Sequence, residues 1–197
     1  MALTMRERRW RPALLEAVSE TLPRAGTIVD VGAGTGSFAI ALAAARPDAA
    51  VLAIDGDADV LERARSKQGA DRVEWRTGLA GALPLAPGQA HVIVMSLLLH
   101  HLEPEAKRAA LTDARAALRP GGWLHVADWG RPRGALPRAG FAALRILDGR
   151  AGTADHAAGR LPALIADAGF ADPSPRMRLS TVWGTLELLA ARRLRRG

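Results

Sequence analysis

The sequence predicts an α/β protein: a doubly wound, mostly parallel sheet closed by an antiparallel C-terminal hairpin. Three observations carry this. Short apolar runs rich in β-branched residues, TIVDV (27–31), AVLAID (50–55) and HVIVMSLLL (91–99), alternate with helical patterns over the first 130 residues. The first run leads directly into a glycine loop, GAGTG (32–36). Past residue 130 the pattern changes, and PRMRLSTVW (175–183) and TLELLAARRL (185–194) flank Gly184 as the arms of a hairpin. Strands separated by helices pair in parallel, with helices covering both faces; hairpin arms pair antiparallel.

Each element has its own warrant. Residues 5–22 place Trp10, Leu14, Leu15, Val18 and Leu22 at helical spacing, and Pro23 and Gly26 end that helix. Residues 38–47 form a second helix, stopped by Pro47, and residues 57–67 a third, with Asp57 as N-cap. DRVEWRTG (71–78) is a more polar strand, placed toward a sheet edge. Residues 103–122 form a helix with Pro104 in its first turn and a Pro-Gly-Gly stop, followed by the strand WLHVADWG (123–130). Residues 131–140 read as a mobile loop and 153–170 as holding a further helix. No repeat or linker interrupts the chain, which predicts one domain over 1–197: an N-terminal helix (1–24), a ligand-binding core (25–130) and a substrate-side region with the closing hairpin (131–197).

Composition bounds the function. With no cysteine among 197 residues, thiolate metal sites and cysteine nucleophiles are excluded. The absence of a signal-type apolar core at the start predicts a cytoplasmic chain. The net charge is +7, but lysine occurs only at Lys67 and Lys107. Arginine together with abundant alanine is the pattern of a GC-rich genome, so nucleic acid is not the expected partner. RERRWR (6–11) and RRLRR (192–196) leave room for weak contact with an acidic membrane surface.

The glycine loop narrows the ligand. Gly32, Gly34 and Gly36 alternate, and Ser37 stands where a dinucleotide fingerprint needs its third glycine. No lysine follows in the manner of a phosphate-gripping loop. Asp30 would repel a pyrophosphate but attract an ammonium group. Asp55, ending the second strand, stands where a carboxylate accepts hydrogen bonds from ribose hydroxyls. Together they point to an adenosine ligand with a cationic amino acid moiety.

VDVGAGTG (29–36), AIDGDADVLERAR (53–65), GLAGALPL (78–85), HVIVMSLLLHHL (91–102) and ALRPGGWLHVADW (117–129) resemble, in order, the motifs of class I S-adenosylmethionine (SAM)-dependent methyltransferases. The resemblance is closest to small-molecule members of the ubiquinone/menaquinone-biosynthesis type and spans roughly 25–130. It implies a Rossmann-like, seven-stranded sheet and SAM as cofactor. By the same resemblance Asp30, Gly32, Ala33 and Gly34 hold the methionine part, Asp55 the ribose, Gly56, Leu79 and Ala80 the adenine, Ser96 lies near the methionine moiety or sulfonium, and Gly36 and Gly78 complete the cofactor-binding set. Leu79 departs from the pattern, since relatives carry an aspartate there for the adenine amino group. An apolar contact with the ring is expected instead.

For the acceptor side, His100, His101 and Asp128 follow strand ends on the cofactor side and are the catalytic candidates. Trp129 and His156 are candidates for contact with substrate. His91 starts its strand at the far end and is not expected to take part. The nucleobase-methylating D/N-P-P-Y/F tetrad is replaced by MSLL (95–98), and no oxygen-ligand set marks a metal site. The expected reaction is methyl transfer to a small, apolar organic acceptor. A lipid methyltransferase at a membrane surface and a SAM-binding module without turnover are the alternatives. The motifs leave open whether oxygen, nitrogen or carbon is methylated, and the oligomeric state.

Overall fold

The computed structural model describes residues 6–147 and 149–195. Helix α1 (Glu7–Thr21) precedes β1 (Thr27–Val31), α2 (Ser37–Ala45), β2 (Ala50–Asp55), α3 (Ala58–Arg65) and β3 (Val73–Thr77). Then come β4 (Ala90–Ser96), α4 (Pro104–Ala117), β5 (Leu118–Gly130), α5 (Ala135–Leu147), α6 (Arg150–Ala158), α7 (Leu161–Asp167), β6 (Ala171–Thr181) and β7 (Gly184–Arg192). The strands form one sheet in the order β3–β2–β1–β4–β5–β7–β6. β1 to β5 pair in parallel, whereas β7 pairs antiparallel with both β5 and β6. This is the Rossmann-like sheet that the sequence predicts, with β3 at an edge.

The strand alternation separates two apolar layers. Ile28, Val51, Ala53, Val92, Val94 and Trp129 face Trp10, Leu14 and Val18 of α1, Phe38 and Leu42 of α2, and Phe141 of α5. Val29, Val31, Leu52, Ile54, Ile93, Met95 and Val126 face Leu111 and Ala114 of α4 and Leu161, Leu164 and Ile165 of α7. Large apolar side chains buried in this way contribute about 1.5–3 kcal/mol each. Strand order reverses between β1 and β4, so the crevice for a ligand opens beyond their carboxyl ends. Among the described residues, no helix is long and apolar enough to cross a membrane.

Three local expectations need correction. The helix expected over 103–122 ends at Ala117, and residues 118–122, with the Pro-Gly-Gly stop, belong to β5. The stretch 131–140 is not a loop throughout, because α5 begins at Ala135. Pro137 lies in its first turn, where a missing N–H costs nothing. Gly140 is required for packing: a Cβ there would overlap the Val182 carbonyl of the β6–β7 turn. The region 153–170 holds parts of two helices, not one, divided at Gly159, whose φ of +71° ends α6.

Candidate functional site

The site begins with a backbone that only glycine tolerates. Gly32, Gly34 and Gly36 have φ of +72°, +54° and +73°. The Gly32 and Ala33 amides donate to the Ile54 carbonyl at 2.8 and 3.1 Å, tying the loop to β2. Cβ atoms at Gly32 and Gly36 would strike Leu98 and Trp75, whereas one at Gly34 would meet nothing within 4 Å. The loop is therefore packed from behind and open at Gly34. Lys67, past the end of α3, clamps it from outside, donating to the Thr35 carbonyl at 2.6 Å and Ser37 Oγ at 3.0 Å.

Two carboxylates face this loop. Asp55 Oδ2 accepts from the Gly34 amide at 2.7 Å and Oδ1 from the Asp57 amide at 3.0 Å, so the carboxylate is held while lone pairs remain for a ligand. Asp30 is different. It is fully buried, and neither oxygen has a hydrogen-bond partner. Burial pushes its pKa up to about 7, against the pull of the Arg11 guanidinium and with a further push from Asp55. A buried carboxylate without a donor is costly unless a cation comes to it.

Beyond β2, exposed Gly56 faces Leu79: a Cβ on Gly56 would lie 3.1 Å from Leu79 Cδ2. Leu79 is 67% exposed, and the Gly78 amide is fixed by the Asp55 carbonyl at 3.0 Å. An apolar side chain thus projects over the end of β2 beside Gly56, with Ala80 following it half-buried.

The side of the site beyond β4 and β5 is organised by Asp128, fully buried near the end of β5. Its Oδ2 accepts from the Leu99 and His100 amides at 2.8 and 3.3 Å, and its Oδ1 from the Trp129 amide at 2.7 Å and His100 Nδ1 at 2.7 Å. Burial alone would raise its pKa, but the His100 and His156 imidazoles and these hydrogen bonds hold it below the ordinary carboxylate range. With both oxygens engaged, Asp128 orients the turn after β4 and the His100 ring. That turn follows half-buried Ser96 and begins at Leu97, whose φ of +53° is unusual for a bulky residue. His101 is exposed, its ring centroid 3.9 Å from that of His100.

α6 brings His156 to the same place. Its Nδ1 lies 2.5 Å from the Trp129 carbonyl and must donate to it, which leaves Nε2 as the bare lone pair. That Nε2 is buried without a partner, as is Trp129 Nε1. Burial lowers the His156 pKa, against the pull of Asp128 and the bond to Trp129, so the ring is a neutral base at pH 7. Sequence reasoning missed what docks this helix. Lys107 of α4 is completely buried, donates to the Gly152 carbonyl at 2.7 Å and pairs with Asp155 at 3.4 Å. Gly152 is needed too, because a Cβ there would lie 2.5 Å from the His100 carbonyl.

The structure thus gathers Asp30, Asp55, the glycine loop, Leu79, Ser96, His100, Asp128, Trp129 and His156 around the carboxyl ends of the strands. His91 lies at the opposite, amino end of β4, with Nδ1 accepting from the Thr27 amide at 3.0 Å. Among the described residues, no group of three or more histidine, aspartate or glutamate side chains is placed to hold a metal ion.

Residues 28–122 match the family model described as methyltransferase domain. The arsenite methyltransferase of Halobacterium salinarum is 35% identical over 107 residues, 52% of this chain and 27% of that protein. A ubiquinone/menaquinone biosynthesis C-methyltransferase of Syntrophotalea carbinolica is 30% identical over 132 residues, 66% of this chain and 54% of that protein. The chain therefore spans about a quarter to a half of these relatives' lengths. The solved SAM-dependent methyltransferase of Methanosarcina mazei superposes with a TM-score of 0.72 at 16% identity, over 91% of this chain and 98% of that one, which establishes the shared fold.

Proposed function

We propose, on the premise that the chain carries a methyltransferase domain of the SAM-dependent class, that it transfers the methyl group of SAM to a small organic acceptor. The buried, unpartnered Asp30 carboxylate at the root of the glycine loop carries this reading, because it calls for a ligand cation at that point. The residues present fit the methionine end of SAM: Asp30 for the ammonium, and the loop, open at Gly34, for close backbone approach. Asp55 suits the ribose diol and Leu79 with Gly56 an apolar adenine contact, while Ser96 borders the reacting end. When bound, SAM supplies a methyl group on a positively charged sulfur, already activated for displacement.

The chain's own contribution is positioning, exclusion of water and one base. His156 Nε2 would take the proton of an acceptor hydroxyl or amine as that atom gains the methyl group. With His156 holding that proton, the transfer would balance, the C–S bonding pair staying on sulfur as a neutral thioether. Asp128 fixes the His100 turn, while the Trp129 carbonyl fixes the His156 tautomer. Buried Trp129, its ring edge-on to that of His100, favours an acceptor able to leave water. Leu136, Ile146 and Leu147, exposed on α5, extend apolar surface in the substrate-side region. Arsenite is disfavoured despite the likeness above, since the chain has no thiolate to hold a soft element.

Isothermal titration with SAM and S-adenosylhomocysteine, on the wild type and on Asp55→Ala, tests the reading. Micromolar binding that Asp55→Ala abolishes supports it; no binding of either ligand by the wild type overturns it.

A further inference from the structure

A second charged feature lies at the opposite end of the parallel strands, where the proposed reaction needs nothing. There a cleft of about 800 Å³ is lined by Arg24, Arg119, Arg192 and Arg195, together with His91 and Trp123 and no acidic residue. Its shape comes from the strands. Ala90 pairs with Leu118 and Val92 with Trp123, so His91 alone stands opposite residues 119–122 and that segment bulges out of the sheet. Gly121, at a φ of +85°, lets the Arg195 side chain lie against the bulge. Arg193 points elsewhere, capping α4 by donating to the Arg115, Ala116 and Leu118 carbonyls. Of the described C-terminal arginines, Arg193 is spent on α4, whereas Arg192 and Arg195 line the cleft, Arg192 Nε also donating to the Gly121 carbonyl at 3.4 Å.

Nothing acidic among the described residues lines the cleft to offset this positive charge. Among the described residues, no carboxylate lies within ion-pair distance of Arg24, Arg119, Arg192 or Arg195. Arg192 is placed over the Trp123 ring, 5.7 Å from its centroid. The contact between His91 and Arg119 is more telling. His91 Nδ1 accepts from the Thr27 amide at 3.0 Å, so the neutral ring carries its proton on Nε2, the atom that faces the Arg119 guanidinium. In this tautomer both side chains present N–H donors at the cleft that they line. Burial and the Arg119 charge both disfavour the imidazolium, which keeps the ring in this neutral form.

We infer that this cleft is a binding site for a phosphate-bearing anion, whose oxygens would accept from His91 Nε2–H and Arg119 and be neutralised by Arg24, Arg192 and Arg195. Guanidinium groups match phosphate oxygens in pairs, and several converging on one cleft suit a doubly or multiply charged group. The phosphate could belong to a soluble ester or to a lipid headgroup. The arginines of the α1 start do not add to the site: they lie near the other end of a 15-residue helix, roughly 20 Å away.

The test compares the wild type with Arg119→Gln/Arg195→Gln, and with Arg24→Gln/Arg195→Gln in case the first variant is unstable. Inorganic pyrophosphate is titrated calorimetrically at low ionic strength, and co-sedimentation is measured with phosphatidylglycerol and with phosphatidylcholine vesicles. Saturable pyrophosphate binding, weakened at least tenfold in the variants, supports the site and a soluble ligand. Sedimentation with phosphatidylglycerol only, lost in the variants, supports it with a headgroup as ligand. No binding in either format, or equal binding by wild type and variants, overturns it. SAM affinity is expected to stay within twofold in both variants, which separates this inference from the methyltransferase reading.

Discussion

Asp30→Asn should stabilise the protein while weakening its hold on SAM, and both effects should follow pH in a calculable way. The Asp30 pKa of about 7 lies 3.2 units above its ordinary 3.8, and each unit corresponds to about 1.36 kcal/mol. Because the folded state raises this pKa, ionising Asp30 destabilises the fold. The penalty is absent below pH 3.8, grows from there to pH 7, and is complete above it. At pH 8 the asparagine variant without ligand should therefore be more stable than the wild type by about 4 kcal/mol, and at pH 5.5 by about half as much. Denaturant unfolding at the two pH values measures the difference.

Ligand binding should move the other way. SAM needs Asp30 ionised and its own α-amino group, with a pKa near 7.8, protonated. The competent fraction is about one in eleven at pH 6 and about one half at pH 7.5, so wild-type affinity should rise about fivefold between them and fall again toward pH 9. In Asp30→Asn affinity should drop tenfold or more, the loss of about 1.5–3 kcal/mol expected for a charged hydrogen bond, and the acid limb should vanish. A wild-type affinity that is flat from pH 6 to 7.5, or an asparagine variant less stable than wild type at pH 8, would refute the assignment of Asp30 as an uncompensated carboxylate awaiting a cation.

Other substitutions probe the rest of the site. His156→Ala should lower turnover of an oxygen or nitrogen acceptor by about a hundredfold or more, the usual worth of a general base, while leaving the SAM dissociation constant within twofold; single-turnover methyl transfer measures this. Lys107→Met should destabilise the fold by about 3 kcal/mol in thermal or denaturant unfolding, because the Gly152 carbonyl loses its donor and Asp155 its buried partner, and Lys107→Met/Asp155→Leu should recover most of that loss. Leu79→Asp should tighten SAM binding severalfold, about 1 kcal/mol, by offering the adenine amino group an acceptor; calorimetry distinguishes this from the unchanged affinity expected if Leu79 never meets the ring.

The legible and illegible parts of this chain divide along a physical line. β1, β2 and β4 could be read because strands buried on both faces need continuous apolar runs, and Asp30 and Asp55 because a carboxylate at the end of such a run has few reasons to be there. α5 was hidden by Pro137 and Gly140, which look like breakers; one is harmless in a first turn, and the other is demanded by the Val182 carbonyl, a contact across 42 residues. The orienting part played by Asp128 was equally hidden, since its donors come from residues 99–100 and 129 at once. Yet one signal was available. In a chain that uses arginine almost everywhere, lysine stands only at 67 and 107, and Lys107 shares a helical face with apolar Ala110, Leu111 and Ala114. Each lysine reaches one backbone carbonyl and one side chain, Lys67 on the outside of the glycine loop and Lys107 beneath α6. A compact ammonium on a thin stem fits there, whereas a planar guanidinium with five fixed donors would leave several unmatched. The departures from the arginine habit fall where the two halves of the site are clamped to the scaffold, so a compositional bias becomes informative at the positions that resist it.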